Sequence, residues 1–310
     1  MNSASASSHS ARTSARISTR KRRPWPLLAF AMLLLLGVWL RDPQPSAAHA
    51  ATRSDAAAMR DIAYGAHPRQ RYDLYLPAQP KGAPTIFYVH GGGWARGDKA
   101  LAGLIDAKQR RWTTAGAIVM STNYRFVPDI DPVEQARDIG RAVASAQARV
   151  AKLGGDPNAF VLMGHSAGAH LVALLASSPN LQRETGVKPW RGSVLLDSGA
   201  IDVVQTMQLP HARLFDNAFG SDPALWQAAS PMQQLSGKTA PILAVCASKR
   251  RVSCAPNERF LANAQGFGTR TQLLPKPLNH MQINRELGQD NDYTREVETF
   301  IRSLGVQLGG

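Results

Sequence analysis

The apolar residues of this chain fall into short runs that alternate with longer segments of helical spacing. Six runs predict strands, at residues 85–89, 117–120, 160–163, 193–196, 241–245 and 271–274. Apolar positions three and four residues apart predict helices over 131–153, 256–265 and 292–304. Strands that alternate with helices are typical of an α/β fold, so we expect a mostly parallel central sheet with helices on both faces.

Two segments depart from this alternation, and a tether precedes the domain that contains them. Residues 70–76 alternate between apolar and polar side chains and end at Pro77, which predicts an edge strand. Residues 203–238, rich in Gln, Pro and aromatic side chains, form too long a segment for a simple connection, so we expect a cap-like insertion over the strand ends. Residues 70–310 therefore form one predicted domain, preceded by an Ala-rich tether at 51–69.

A sharp change of pattern occurs at Gly164-His165-Ser166-Ala167-Gly168, where the strand-like run ends and helical spacing begins. A strand, a tight turn and a helix around the pattern G-x-S-x-G form a nucleophile elbow, in which the serine hydroxyl projects from a strained turn. The two glycines suit this geometry because the strand and the helix pass too closely for a side chain. Ser166 is therefore the predicted nucleophile.

A second glycine-rich stretch, His90-Gly91-Gly92-Gly93-Trp94, follows the strand at 85–89. Consecutive glycines leave backbone N–H groups uncovered, and such groups can stabilise a developing negative charge. The loops after parallel strands gather at one edge of the sheet, where the active sites of α/β folds lie. The two glycine-rich stretches together predict acyl-transfer chemistry.

The positive charge of the chain is unevenly distributed along the sequence. The 310 residues carry a formal net charge of +14, which would suit a nucleic-acid binder, but six of these charges lie within the first 50 residues. The remaining excess is scattered, without interleaved aromatic side chains on which bases could stack. We therefore expect no nucleic-acid partner.

The first 50 residues have the three parts of an export signal. A basic segment ends at Arg23, an apolar run covers 27–40, and Ala48-His49-Ala50 forms a small-x-small cleavage site. This pattern predicts a periplasmic or secreted protein that begins near Ala51. The alternative is an uncleaved leader, in which residues 27–40 anchor the chain to the inner membrane and provide its only membrane contact.

The chain contains two cysteines, Cys246 and Cys254, and the predicted export determines their expected redox state. In an oxidising compartment, two cysteines close in sequence favour a disulfide, since a metal site would need further ligands nearby. We expect them to be bonded to each other, and we expect no metal.

The motifs together resemble those of the α/β-hydrolase fold esterases of the hormone-sensitive-lipase and arylformamidase type. The resemblance covers most of residues 70–304 and rests on the motifs at 90–94 and 164–168 and on Asn279-His280-Met281. It implies that Ser166 attacks the acyl carbon. It also implies an oxyanion hole formed by the amides of three residues, Gly91, Gly92 and Ala167.

The base and the acid follow from the chain order of this fold, which is serine, acid, histidine. Of the eight histidines only His280 follows the last predicted strand, so it is the expected general base. Family members place an aspartate after the strand that here ends at Val245, yet residues 246–254 contain no carboxylate. Asp202 is the preferred acid; Asp197, at the end of the preceding strand, and Glu258 are the other candidates.

These expectations describe an exported serine hydrolase of small carboxylic esters or N-formyl amides that needs no cofactor. Trp94, with aromatic residues of the insertion, is expected to line the substrate pocket. One alternative is a weak or inactive binding protein of the same fold that lacks the usual acid. Another is an acyltransferase, since an alcohol can compete with water for the same acyl-enzyme intermediate.

Overall fold

The computed structural model describes residues 58–250 and 252–309. The predicted export signal at 1–50 and residues 51–57 of the predicted tether lie outside the described residues. Within the described part of the chain, no helix combines the length and the apolar character that a membrane span requires.

An eight-stranded sheet forms the centre of the described domain, with the strand order β1-β2-β4-β3-β5-β6-β7-β8. The strands β3 to β8 are parallel to one another, and antiparallel pairing joins β1 to β2 and β2 to β4. The strands are β1 (Ala58–Ala63), β2 (Arg71–Tyr75), β3 (Thr85–Val89), β4 (Ile118–Thr122), β5 (Phe160–His165), β6 (Gly192–Leu196), β7 (Ile242–Ala247) and β8 (Thr271–Lys276).

The helices that the apolar spacing predicts over 131–153, 256–265 and 292–304 are present, and further helices accompany them. They are α1 (Asp106–Thr114), α2 (Pro132–Lys152), α3 (Ala167–Ser177), α4 (Pro179–Thr185), α5 (Val203–Gln208), α6 (Arg213–Phe219), α7 (Pro223–Ala228), α8 (Pro231–Gln234), α9 (Cys254–Gly266), α10 (His280–Arg285) and α11 (Asp292–Ser303). The predicted α/β fold with a mostly parallel sheet is confirmed. The predicted insertion at 203–238 contains the four short helices α5 to α8.

Two hydrophobic clusters cover the two faces of the sheet. Successive residues of a strand point to opposite faces, so Phe87 of β3 joins one cluster and Tyr88 joins the other. The first cluster packs against α2 and α3, and the second includes residues of α11 such as Val297 and Ile301. Both faces of the central strands are therefore buried, which explains their continuous apolar runs.

The first two strands correct the prediction for the start of the domain. Residues 70–76 were expected to form an edge strand, but β1 pairs with β2 and takes the edge position. The expected tether at 51–69 therefore already contains a strand of the sheet. The sequence of β1, Ala-Met-Arg-Asp-Ile-Ala, does not alternate, because most of its side chains are exposed at the edge and no buried face imposes a period of two.

The fold brings the ends of several strands together at one edge. Ser166 directly follows β5, Asp197 directly follows β6, and His280 opens α10 four residues after β8. The strands β5, β6, β7 and β8 are consecutive neighbours in the sheet. Side chains far apart in sequence are therefore presented at the carboxyl ends of adjacent parallel strands.

Candidate active site

Ser166 occupies a strained turn between β5 and α3. Its backbone has φ 56° and ψ −119°, a conformation that non-glycine residues rarely adopt. A Cβ atom at Gly164 would lie 2.3 Å from the carbonyl oxygen of Gly168, and one at Gly168 would lie 2.3 Å from that of Val89. Both glycines are thus required by close backbone contacts, as the elbow motif predicts.

The Ser166 hydroxyl lies at one end of a chain of hydrogen bonds. His280 Nε2 is 2.9 Å from Ser166 Oγ, and His280 Nδ1 is 2.5 Å from Oδ2 of Asp197. With the proton on Nδ1, the imidazole donates to the carboxylate and can accept the serine proton through Nε2. This is the arrangement of a nucleophile, a base and an orienting acid.

Asp197 is fully buried, yet its carboxylate is well provided with donors. Its Oδ1 accepts a hydrogen bond from Ala247 N at 2.8 Å and another from the Ser253 hydroxyl. Burial alone would raise the pKa of Asp197, but the hydrogen bonds from His280, Ser253 and Ala247 and the charge of Arg250 hold it well below its ordinary value. The carboxylate therefore stays ionised beside His280.

The expectation that Asp202 contacts the histidine is wrong in this structure. Asp202 is the N-cap of α5, and its side chain accepts a hydrogen bond from Gln205 N at 3.1 Å. The contact with His280 is made five residues earlier by Asp197, whose φ of 55° turns the chain sharply at the end of β6. Aspartate is a preferred N-cap residue, which accounts for Asp202 without a role at the site.

The glycine-rich loop after β3 lies against the nucleophile. A Cβ at Gly91 would lie 3.0 Å from Ser166 Cβ, and Gly92 has φ 137°, a conformation suited to glycine. The amides of Gly91, Gly92 and Ala167 donate to no acceptor among the described residues. Three N–H groups, of the elbow and of the loop packed against it, thus have no partner in the described part of the chain.

Three buried histidines surround the elbow without contacting the Ser166 hydroxyl. His165 Nε2 donates to the carbonyl of His280 at 3.0 Å, and His90 Nδ1 donates to that of Gly91 at 2.8 Å. His170 accepts from Trp94 Nε1 at 3.1 Å and donates to the carbonyl of Ala229 at 2.7 Å, so it joins the glycine-rich loop to the insertion. Burial lowers the pKa of His90 and His170 to about 4 and that of His165 to about 3.

A cleft of about 900 Å³ opens above Ser166 and His280. Trp94 lines it as expected, although its side chain is only 3% exposed and its ring packs against Phe219 and Phe215 at centroid distances of 4.9 and 5.8 Å. Other apolar side chains at the cleft come from the insertion, from the loop before α9 and from the first turn of α9: Leu209, Pro210, Leu214, Phe215, Val252 and Pro256. The four-helix insertion therefore forms part of the wall above the nucleophile.

The loop between β7 and α9 forms another part of this wall. The predicted disulfide between Cys246 and Cys254 is present and closes this loop. Within it, Arg250 donates through Nη1 to Oδ2 of Asp197 at 2.5 Å, and the same nitrogen lies 2.8 Å from His280 Nδ1. No motif predicts Arg250 or Ser253 at the acid; their place after a parallel strand is the one signal that could have pointed to them.

Comparisons with known proteins agree with this geometry. The model of the family BD-FAE matches residues 72–255. The esterase LipC of Mycobacterium tuberculosis is 28% identical over 61% of this chain and 50% of its own length, and the esterase LipQ of the same organism is 30% identical over 71% of this chain and 55% of its own. The chain thus spans about half the length of these two relatives.

Solved structures show the same fold. Esterase B from Lactobacillus rhamnosis superposes with a TM-score of 0.67 at 23% identity, covering 82% of this chain and 86% of that protein. Apo esterase 2 from Thermogutta terrifontis gives 0.67 at 20% identity, covering 83% and 98%. The expected resemblance to α/β-hydrolase fold esterases is confirmed.

Proposed function

Because the chain belongs to the BD-FAE family, we propose that it is a serine hydrolase that cleaves small carboxylic esters through an acyl-enzyme intermediate. The observation that carries this proposal is the continuous contact from Ser166 Oγ through His280 to Asp197. N-formyl amides are included in the proposed substrate range, since a formyl group can form the same type of serine ester on the enzyme as another acyl group.

In the proposed reaction, His280 Nε2 takes the proton of Ser166 while Oγ attacks the acyl carbon. The negative charge that develops on the carbonyl oxygen is stabilised by the amides of Gly91, Gly92 and Ala167, and one such donor typically contributes about 10²- to 10³-fold to kcat. His280 then gives the proton to the leaving alcohol. Asp197 holds the productive tautomer and stabilises the imidazolium without taking the proton itself.

The same residues complete the cycle. Water enters the space left by the alcohol, His280 removes its proton, and the resulting attack on the acyl carbon releases the acid and restores Ser166. An alcohol that enters instead of water would make the protein an acyltransferase. Product analysis in the presence of a small alcohol separates these two outcomes.

The alternative of an inactive binding protein depends on the absence of a carboxylate from residues 246–254, where family members place the acid. The position of Asp197 beside His280 removes that reason. We retain export as part of the proposal, because a disulfide that closes the 246–254 loop suits an oxidising compartment. Intact-mass measurement of the secreted or periplasmic fraction tests cleavage before Ala51.

Ser166→Ala provides the direct test of the proposed chemistry. Labelling with a fluorophosphonate probe is expected in the wild type and absent in the variant, and turnover of p-nitrophenyl esters is expected to fall by about 10⁶-fold. A panel of esters of rising chain length together with N-formylkynurenine defines the substrate range. Equal turnover by the two proteins would disprove the serine mechanism.

A further inference from the structure

Two arginines give the cleft an excess of positive charge. Arg250 reaches it from the loop before α9, and Arg259 reaches it from α9 itself. Among the described residues that line the cleft, Asp197 is the only acidic one. Because Asp197 is fully buried and both of its oxygens already accept hydrogen bonds, it is not available to a ligand.

Both guanidinium groups retain unused donors. Arg250 is bonded to Asp197 through Nη1 only, its side chain is 31% exposed, and its Nε and Nη2 donate to no acceptor within the described part of the chain. Arg259 is exposed, and its Nη2 donates to the side-chain amide oxygen of Gln205, which is neutral. A guanidinium with free N–H groups is the preferred protein partner of a carboxylate.

The contact of Arg250 with the acid is also crowded. Arg250 Nη1 and His280 Nδ1 each lie 2.5 Å from Oδ2 of Asp197, and they lie 2.8 Å from each other. In the productive tautomer both nitrogens carry protons and donate to the same oxygen, so two positively polarised N–H groups are held close to each other. An anion in the cleft that pairs with the guanidinium would leave this oxygen to His280.

We propose that Arg250 and Arg259 form an anion subsite, and that the substrates of this cleft are esters that also carry a carboxylate. The apolar side chains of Leu209, Leu214 and Val252, all exposed at the same cleft, suit the hydrocarbon part of such a molecule. This inference rests on the proposed esterase function and narrows its substrate class.

Matched pairs of esters test the subsite with the carboxylate on either side of the scissile bond. One pair is 4-acetoxybenzoate and its methyl ester, and the other is mono-4-nitrophenyl adipate and its methyl ester. In at least one pair, kcat/KM of the wild type is expected to favour the anion by about tenfold or more, the effect of one charged hydrogen-bonding partner. A ratio near one in both pairs overturns the subsite.

The variant Arg250→Gln is expected to lower this ratio by about 10- to 100-fold. Lys249→Gln is the matched control, because it removes the same charge from the same loop and its side chain does not line the cleft. The control is expected to keep the wild-type ratio. An equal ratio in all three proteins overturns the role of Arg250.

Two further measurements distinguish loss of the anion subsite from misfolding or a general loss of activity in Arg250→Gln. Arg259→Gln, at an exposed position, is expected to lower the ratio by about two- to fivefold. Benzoate is expected to inhibit the wild type and Lys249→Gln more strongly than Arg250→Gln, whereas neutral benzamide should not distinguish them. If the wild type hydrolyses the neutral esters but its kcat/KM ratio of anionic to neutral ester is near one, the anion subsite alone is overturned. Absence of fluorophosphonate labelling at Ser166 in the wild type would overturn the proposed function.

Discussion

The loops after β6 and β7 leave the sheet side by side but present opposite charges to the same histidine. The β6 loop places the carboxylate of Asp197 at His280 Nδ1, and the β7 loop places the guanidinium of Arg250 at the same atom. The last residue of β7 also supplies Ala247 N to Asp197, and the loop after it supplies the Ser253 hydroxyl. One loop therefore provides the acid, and its neighbour provides the donors that keep it ionised.

The difference between the two loops shows that the acid of such a site can come from either strand, provided that its carboxylate can approach the histidine. Adjacent parallel strands end about 5 Å apart, so a carboxylate on either strand can approach the same imidazole. The backbone of Asp197, with φ 55°, directs its side chain toward His280 from β6. A carboxylate on the β7 loop is then unnecessary, and that loop is free to carry an arginine.

Among the changes that test this comparison of the two loops, the largest effect is expected for Asp197→Asn, which removes the charge that the β6 loop supplies. The asparagine keeps the shape but favours the wrong tautomer of His280, so kcat should fall by a factor on the order of 10³ to 10⁴. Steady-state kinetics with a p-nitrophenyl ester measures the loss. Asp202→Asn serves as the control and should keep wild-type kcat; the reverse result would return the acid to Asp202.

The next effect comes from opening the β7 loop with the double variant Cys246→Ala, Cys254→Ala. Removing the bond that closes this short loop should lower the free energy of unfolding by about 2 to 3 kcal/mol. Urea unfolding of the oxidised wild type and the variant gives the difference. In a thiol reductant, the two proteins should have the same free energy of unfolding. A difference that persists there would mean that the cysteine side chains stabilise the protein by packing alone.

The smallest effect is expected for Asp202→Ala, which removes the N-cap of α5. The helix loses the acceptor for Gln205 N, so the protein should be destabilised by about 1 kcal/mol. Its kcat should stay within about twofold of the wild-type value, because the cap lies outside the contact with His280. Thermal unfolding and kinetics on the same sample separate these two quantities.

The sequence could predict those parts of the site that depend on local geometry. The glycines around Ser166 are dictated by backbone contacts of a few residues, and His280 follows from chain order. Asp197 could have been preferred by the same rule that located the glycine-rich loop, because it is the first residue after a buried strand. Unlike Ser166, Asp197 lies in no motif that signals its positive φ, so the sequence does not show that its side chain is directed toward His280.

Other features depend on tertiary contacts that no local pattern encodes. The edge strand β1 has exposed side chains and no alternation, so its pairing with β2 is visible only in the assembled sheet. Arg250 meets Asp197 across 53 residues of sequence, and His170 meets Ala229 across 59. Contacts of this range are set by the packing of the whole domain.

The three buried histidines around the elbow should make the stability of the domain fall at acidic pH. His90, His165 and His170 stay neutral in the fold because burial lowers their pKa values to between about 3 and 4, whereas an unfolded histidine takes up a proton near pH 6.5. As the pH falls from about 6.5 toward 4, the unfolded chain binds protons that the native protein does not. Each histidine should then lower the free energy of unfolding by about 1.4 kcal/mol per pH unit. Urea titrations at pH 7.5, 6 and 5 should show this slope, and His170→Gln should reduce it. Folding alone should therefore set a lower limit to the pH at which the protein works.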